Sequence, residues 1–211
     1  MFGVKNKNLG FVGKRFYTID EYLEIEERVP EIYEFWNEDV IKLDQLDFYF
    51  KESIFNLERK LSEELEKNNY NLFSNFFLKK KKIWIKSENC LFYPDLFVVG
   101  DEVEYYPNRK NIITNPLMII EISTAYSMGN IDGVRGDRTY LTDRASKFWK
   151  YQNVSTLKEY VLITDDGLTV VETYNKLDDK NWKYQVFSEE KNNVVNFESV
   201  DIKLPVKDIY L

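Results

Sequence analysis

An acidic residue interrupts the apolar run Leu91-Phe92-Tyr93-Pro94-Asp95-Leu96-Phe97-Val98-Val99, and a second acid lies within Pro116-Leu117-Met118-Ile119-Ile120-Glu121-Ile122. Both runs are dense in aliphatic and aromatic residues, and each predicts one buried β-strand, over residues 92–99 and 117–122. A carboxylate without a partner is costly to desolvate among such neighbours, so it requires a cation, a hydrogen-bond network or a metal ion. Asp95 and Glu121 are therefore the first candidates for functional residues.

Size and composition favour one soluble domain. The chain has 211 residues, of which 44% are hydrophobic and 16% aromatic, which is ample for the core of one domain. Residues 1–30 lack the pattern of a secretory signal, and no apolar run approaches the roughly 18 residues that span a bilayer. The single cysteine, Cys90, excludes an internal disulfide framework and is interpreted as a buried small residue. We therefore expect a cytoplasmic protein that does not enter a membrane.

The composition also excludes some classes of enzyme. The chain contains no histidine, which removes the commonest zinc ligand and the commonest general base. Zinc hydrolase chemistry and Ser-His-Asp chemistry are therefore excluded.

Charge gives no general signal for nucleic-acid binding. The chain has 29 basic and 36 acidic residues, a net charge of −7. Its one dense basic patch is Lys79-Lys80-Lys81-Lys82. These lysines could contact a phosphate backbone, but we favour the solvated tip of a hairpin formed by two strands within residues 70–85.

The first half of the chain predicts two helices and a hairpin. Thr18 is a predicted N-cap for a helix over residues 19–27, and residues 32–43 predict two strands around a turn. Apolar residues spaced by three and four predict an amphipathic helix over residues 49–68. Residues 101–115 are interpreted as a polar link.

The second half predicts a β-α-β crossover. A helix over residues 143–152 lies between the strand of Glu121 and a buried strand over residues 160–163, and the loop over residues 123–142 is glycine-containing. Further strands are predicted over residues 168–174, 182–187 and 194–204. The expected fold class is α/β, with a mixed β-sheet core flanked by helices and additional antiparallel hairpins.

Two acids on neighbouring strands suit a divalent metal. Carboxylate oxygens can hold Mg²⁺ while leaving coordination positions for water and phosphate, which is the requirement of metal-assisted phosphodiester hydrolysis. A lysine near the attacking water can orient it and stabilise charge in the transition state.

Pro94-Asp95 followed by Glu121 resembles the PD-(D/E)XK nuclease pattern, in which the two acids bind the metal. The usual lysine position, two residues after the second acid, is Ser123 in this chain. A lysine from elsewhere must therefore serve. On the helix over residues 143–152, either Lys147 or Lys150 could lean toward the strand end, and we prefer Lys147.

A more specific resemblance extends over nearly the whole chain. Six stretches are similar, in order and spacing, to the Uma-type family of predicted restriction endonucleases within the PD-(D/E)XK superfamily: residues 17–22, 33–37, 94–96, 115–123, 143–151 and 157–163. This resemblance implies a restriction endonuclease-like fold over residues 1–211. Its parts would be an N-terminal helix and hairpin (17–43), a nuclease core (49–164) and a C-terminal β-hairpin extension (165–211).

The resemblance also implies the site and its partners. Asp95 and Glu121 would bind Mg²⁺, for which Mn²⁺ could substitute, and Lys147 would be the catalytic lysine. DNA would be the substrate, and the chain would form a homodimer. Glu34 matches a family glutamate and could reach the metal through water, or could be a surface hairpin residue paired with a lysine. The less functional alternatives are a turn-capping Asp95 and a solvated Lys147 paired with Asp143.

We therefore predict an Mg²⁺-dependent DNA endonuclease. The first alternative is an inactive nuclease-fold protein that serves as a binding or assembly module. The second is a nuclease that acts on RNA or branched DNA with the same residues.

Overall fold

Two six-stranded β-sheets form the body of the part of the protein that the structure describes. The computed structural model describes residues 16–43, 51–75, 81–124, 142–165, 169–191 and 193–209. The first sheet has the strand order β2-β1-β5-β4-β8-β7, and the second has the order β12-β11-β10-β9-β6-β3. The strands of the first sheet are β1 (Tyr33–Trp36), β2 (Asp39–Lys42), β4 (Lys82–Ile85), β5 (Cys90–Phe92), β7 (Tyr105–Tyr106) and β8 (Arg109–Ile113).

The second sheet contains the longest strands. They are β3 (Asn71–Ser74), β6 (Leu96–Val99), β9 (Pro116–Thr124), β10 (Glu159–Asp165), β11 (Thr169–Lys176) and β12 (Trp182–Ser188). A separate hairpin consists of β13 (Val194–Phe197) and β14 (Ile202–Pro205). The predicted mixed α/β class, with antiparallel hairpins toward both ends of the chain, is confirmed.

The N-terminal helix and hairpin form as predicted. Helix α1 (Ile19–Glu26) begins with a capping box, in which Thr18 Oγ1 accepts from the Glu21 N–H and Glu21 Oε2 accepts from the Thr18 N–H. Strands β1 and β2 pair antiparallel around Asn37 and Glu38, which both have positive φ angles of 45° and 81°.

The amphipathic helix is also confirmed. Helix α2 (Lys51–Leu65), extended by a 3₁₀ turn over Glu66–Asn68, buries Leu57, Leu61 and Leu65 completely. These leucines pack in the same core as Ile120 of β9, because the helix lies on one face of the second sheet.

The strand predicted over residues 92–99 is divided into two. β5 ends at Phe92 in the first sheet, and β6 begins at Leu96 in the second sheet. Pro94 lies between them and has no N–H to donate to a strand ladder, which favours a break at this position. The chain therefore passes from one sheet to the other directly at Asp95.

Three further sequence predictions were wrong. Residues 70–85 do not form a strand pair, because β3 pairs with β6 whereas β4 pairs with β5 and β8. The segment over residues 101–115, predicted as a polar link, contains β7 and β8. Ile112 and Ile113 at the end of β8 are fully buried. The strand predicted over residues 194–204 is a hairpin, with Asp201 at φ 55° in its turn.

The predicted β-α-β crossover is confirmed. β9 and β10 are parallel neighbours, and the chain between them includes a π-helical segment (Thr142–Lys147) that continues into helix α3 (Phe148–Tyr151). The helix predicted over residues 143–152 is thus present, but its first part is π-helical. Most of the loop predicted over residues 123–142 lies outside the described residues.

The two faces of the second sheet have different environments. Side chains alternate along β9, so Met118, Ile120 and Ile122 face the core that contains α2. Ile119 faces the other core, together with Tyr151 and Tyr160, and Glu121 shares this second face.

No helix among the described residues is both long and apolar enough to cross a membrane.

Candidate active site

Glu121 lies in the middle of the second sheet and is 2% exposed. Its strand, β9, is flanked by β6 and β10, and Leu162 of β10 is its neighbour in register. Leu162 is itself fully buried, so Glu121 has an apolar neighbour on that side. A carboxylate in this position needs charged or hydrogen-bonding partners.

Lys147 is the charged partner of Glu121. Its ammonium Nζ lies 3.4 Å from Glu121 Oε1 and 3.0 Å from Glu34 Oε1. The Lys147 residue is only 6% exposed, and its Nζ lies 6.0 Å from the centre of the Phe92 ring. The alternative interpretation of Lys147 as a solvated helix lysine is therefore wrong.

Lys150 is directed elsewhere. Its Nζ forms an ion pair of 2.6 Å with Glu88 Oε2, and both side chains are partly exposed. The Glu88 hydrogen bond raises the pKa of Lys150 above its ordinary value. Of the two lysines considered from the sequence, the structure brings Lys147 to Glu121.

Glu34 belongs to the same buried group. It lies on β1 of the first sheet and is 1% exposed, so the surface position considered from the sequence is wrong. Besides Lys147, its carboxylate accepts hydrogen bonds from the Tyr93 N–H (3.2 Å) and the Trp36 Nε1–H (3.3 Å). Both sheets therefore contribute a carboxylate to Lys147.

Tyr151 is a site residue that the sequence reasoning did not assign. Its hydroxyl donates to Glu121 Oε1 at 3.3 Å. Complete burial, reinforced by the nearby Glu121 carboxylate, raises the pKa of Tyr151 well above its ordinary value, so the hydroxyl stays protonated. The i,i+4 spacing from Lys147 was the available signal, since it puts both side chains on one helix face.

Asp95 lies at the junction of the two sheets. Its Oδ2 accepts a hydrogen bond of 2.7 Å from the Ile122 N–H, which fixes it against β9. Asp95 directly precedes β6, whose first residue, Leu96, pairs with Ile120 of β9. Asp95 therefore lies beside the part of β9 that carries Glu121, the residue before Ile122.

The donor set suits a hard cation. Within the part of the chain that the structure describes, no group of three or more His, Cys, Asp and Glu side chains is arranged to hold a metal ion. Asp95 and Glu121 offer carboxylate oxygens only, and Mg²⁺ commonly takes one or two carboxylates and keeps several waters. These two residues therefore fit Mg²⁺ or Mn²⁺, whereas zinc sites draw mainly on Cys and His ligands.

The lysine run does not form the predicted solvated tip at Lys82. That residue is 2% exposed in β4, where its ammonium forms an ion pair with Glu26. Burial lowers the pKa of Lys82, and the Glu26 carboxylate opposes this effect. Lys82 is thus not available for a phosphate backbone, and Lys79 and Lys80 lie outside the described residues.

The fold is shared with a protein of known structure. The crystal structure of "a putative nuclease belonging to DUF820" from Anabaena variabilis aligns with 92% of this chain and 97% of that chain, at a TM-score of 0.63. The sequences are 18% identical, so this likeness shows the shared fold.

The sequence model of the Uma2 family, described as "Putative restriction endonuclease", matches residues 19–207, and the chain belongs to this family. The predicted family resemblance is thereby confirmed. A relative, the uncharacterized protein sll1609 of Synechocystis sp., is 29% identical over 168 residues, which cover 80% of this chain and 85% of that protein. Family membership supports a nuclease, an enzyme that acts on phosphodiester bonds of nucleic acid.

Proposed function

We propose that this protein is a divalent-metal-dependent DNA endonuclease, with Asp95 and Glu121 as metal ligands and Lys147 as the catalytic cation. The observation that carries the proposal is the buried contact between the Lys147 ammonium and Glu121, 3.4 Å apart, beside the Asp95 carboxylate that accepts from the Ile122 N–H. Two acids and one lysine are the groups that this hydrolysis requires.

The two acids have different degrees of restraint. The Ile122 N–H holds one oxygen of Asp95, so this carboxylate is oriented by the backbone of the strand that carries Glu121. Glu121 is oriented by Tyr151 and Lys147 at the same oxygen, Oε1. The pair is thus held in place before a cation or a substrate enters, which lowers the cost of reorganisation.

When bound, Mg²⁺ would supply Lewis-acid polarisation of the phosphate. The Lys147 ammonium lies between two carboxylates, and its N–H groups can donate to phosphate oxygens as negative charge develops there. Since Ser123 occupies the usual position, a helix lysine takes the role of the strand lysine.

A plasmid assay tests the proposal. Supercoiled DNA would be incubated with Mg²⁺ or Mn²⁺ and the wild type, Glu121→Gln or Asp95→Asn, with EDTA as a blank. We expect nicking by the wild type and a loss of at least about 100-fold in each variant, the usual scale for removing a key electrostatic group. Glu88→Gln is the matched control, because it removes a lysine-bound carboxylate from the same region without touching Glu121.

The same assay separates the alternatives. Equal rates for the wild type and Glu121→Gln would contradict the proposed site. Absence of cleavage over supercoiled, single-stranded, branched and RNA substrates would favour an inactive binding or assembly module. Preference for RNA or branched DNA would leave the residues in place and change the substrate. The homodimer that the family resemblance implies stays a prediction.

A further inference from the structure

Glu34 is the buried carboxylate of the site to which the proposed chemistry gives no role. It lies closer to the Lys147 ammonium than Glu121 does, at 3.0 Å against 3.4 Å. Its side chain is 2% exposed, whereas the lysine side chain is 8% exposed, so water screens this ion pair poorly. The pair is therefore a strong restraint on the position of Lys147.

The Glu34 carboxylate is itself rigidly held. The Tyr93 N–H donates to its Oε1, and the Trp36 indole N–H donates to its Oε2. Both donors belong to the first sheet or directly follow one of its strands. Glu34 thus presents a fixed anionic oxygen to a helix that packs on the other sheet.

The Lys147 ammonium is a single positive charge between the carboxylates of Glu34 and Glu121. One ammonium is shared by two buried carboxylates, and a cation held by Glu121 would compete with that ammonium for the Glu121 carboxylate. Glu34 would keep Lys147 nearby in that event, because its own contact with the ammonium does not involve Glu121.

We propose that Glu34 is a positioning residue for phosphodiester hydrolysis, because it holds the Lys147 ammonium beside Glu121. Lys147 thereby takes the role that a lysine at position 123 would otherwise fill. This inference rests on the proposed function. Glu34 acts through Lys147 and does not touch the substrate.

A second ion pair of the same helix provides a comparison. Lys150 pairs with Glu88 at 2.6 Å, with side chains 34% and 25% exposed. That pair fastens the helix near β5 but does not reach Glu121. Removing it therefore measures the effect of losing a lysine–glutamate pair without disturbing the position of Lys147.

A double-mutant cycle tests the positioning role. The variants are Glu34→Gln, Lys147→Met and both together, with Glu88→Gln as the control, and kcat and KM for plasmid nicking are measured at saturating Mg²⁺. Glutamine keeps the shape of the side chain and an oxygen for the Tyr93 N–H. We expect kcat to fall about tenfold or more in Glu34→Gln, with KM within about twofold, because misplacement of a catalytic group is costly.

In the double variant, we expect no loss beyond that of Lys147→Met, since Glu34 acts through the lysine. Unchanged kcat in Glu34→Gln, or additive losses in the double variant, would overturn the inference. If Glu34→Gln does not fold, Glu34→Asp replaces it, and wild-type kcat in that shorter variant would equally overturn it.

A second readout needs neither metal nor substrate. Ammonium protons of a fixed, buried lysine exchange slowly enough with water to give a nitrogen-correlated NMR signal at low temperature and mildly acidic pH. The metal-free wild type and Glu88→Gln should show this signal for Lys147, and Glu34→Gln should lose it. A persisting signal in Glu34→Gln would show that Glu34 does not hold the ammonium.

The two proposals fail differently. If the wild type nicks DNA and Glu34→Gln nicks it equally fast, the inference fails and the proposed function stands. If the wild type cleaves no substrate with Mg²⁺ or Mn²⁺, the proposed function fails and the catalytic role of Glu34 fails with it.

Discussion

Lys147 reaches Glu121 from a helix, although the common nuclease pattern has its lysine on the strand. The sequence supported this placement because Ser123 left the usual position without a cation and Lys147 lay on the next helix. The partner on the other side, Glu34, was less predictable. Its contact with Lys147 joins strands and helices far apart in sequence, and local patterns carry no information about such contacts.

At the residue scale, Tyr151→Phe tests the neutral donor of the site. Because the hydroxyl stays protonated and donates to Glu121 Oε1, we expect its loss to lower kcat for nicking about fivefold, the equivalent of one hydrogen bond. The free energy of unfolding should change by about 1 kcal/mol. Both quantities are measured on purified protein, by steady-state nicking and by urea unfolding.

Tyr184→Phe is the matched control for this prediction. The Tyr184 hydroxyl donates to a different buried acid, Glu172, at 2.8 Å, and β11, which carries Glu172, is two strands away from β9. We expect Tyr184→Phe to leave kcat unchanged. A similar loss of kcat in both variants would indicate a general effect of removing tyrosine hydroxyls from this face.

At the scale of single elements, β4 shows why a run of lysines is a weak signal. Periodicity in Lys82-Ile83-Trp84-Ile85 is compatible with a strand, but the lysine side chain was expected to face solvent. Glu26 of α1 lies where it can accept the Lys82 ammonium, and Tyr93 also donates its hydroxyl to Glu26. Charge alone predicted that Lys82 faces solvent, but its ion pair with Glu26 of another element allows the side chain to be buried.

Lys82→Met tests this buried pair. Removing the lysine leaves the Glu26 carboxylate, whose side chain is 10% exposed, without its cation. We expect a decrease of about 3–5 kcal/mol in the free energy of unfolding, the usual cost of breaking a buried pair from one side. Urea unfolding at pH 7 measures this change.

Lys81→Met is the neighbouring control. The Lys81 ammonium donates to the Lys110 carbonyl oxygen at 2.8 Å in an exposed position, so we expect a change within about 0.5 kcal/mol. Equal effects of the two substitutions would contradict a buried ion pair at Lys82.

At the scale of the whole molecule, one acid fastens the C-terminal hairpin to the second sheet. Glu159 of β10 is fully buried, and its Oε2 accepts from the N–H and the hydroxyl of Ser199, between β13 and β14. Burial raises the pKa of Glu159 from 4.5 to about 7, and the two Ser199 donors oppose this rise. The folded protein therefore binds a proton here more tightly than the unfolded chain.

This raised pKa predicts a pH dependence of stability. The contribution of Glu159 to the free energy of unfolding is fully present below 4.5, the pKa of this carboxyl in the unfolded chain. It is lost as pH rises through about 7, the pKa in the folded protein. We expect the wild type to lose up to about 3 kcal/mol of unfolding free energy between pH 5 and pH 8 on this account. Glu159→Gln should lose less over the same range, as measured by urea unfolding at several pH values.

Glu198→Gln is the control for that prediction. Glu198 lies beside Ser199 and pairs with Lys183 at 2.7 Å, with both side chains partly exposed. Its charge is the smallest cause of the raised Glu159 pKa and burial is the largest, so this variant should keep most of the pH dependence of the wild type. The same slope in Glu159→Gln as in the wild type would show that another group is responsible.

Much of the architecture followed from local patterns. The spacing of Leu57, Leu61 and Leu65 was sufficient for α2, and the two apolar runs flanking a helix were sufficient for the β9–β10 crossover. The division into two sheets was not predictable in the same way. It depends on which strands pair, and the run around Pro94 looks continuous when only its apolar residues are considered.

Strands of the two sheets also interleave along the chain. β3 of the second sheet precedes β4 and β5 of the first, and β7 and β8 of the first follow β6 of the second. No single cut can separate the sheets into two fragments. The residues around Lys147 therefore cannot be transferred to another protein as one contiguous segment. A circularly permuted chain would have to form both sheets in order to keep this site.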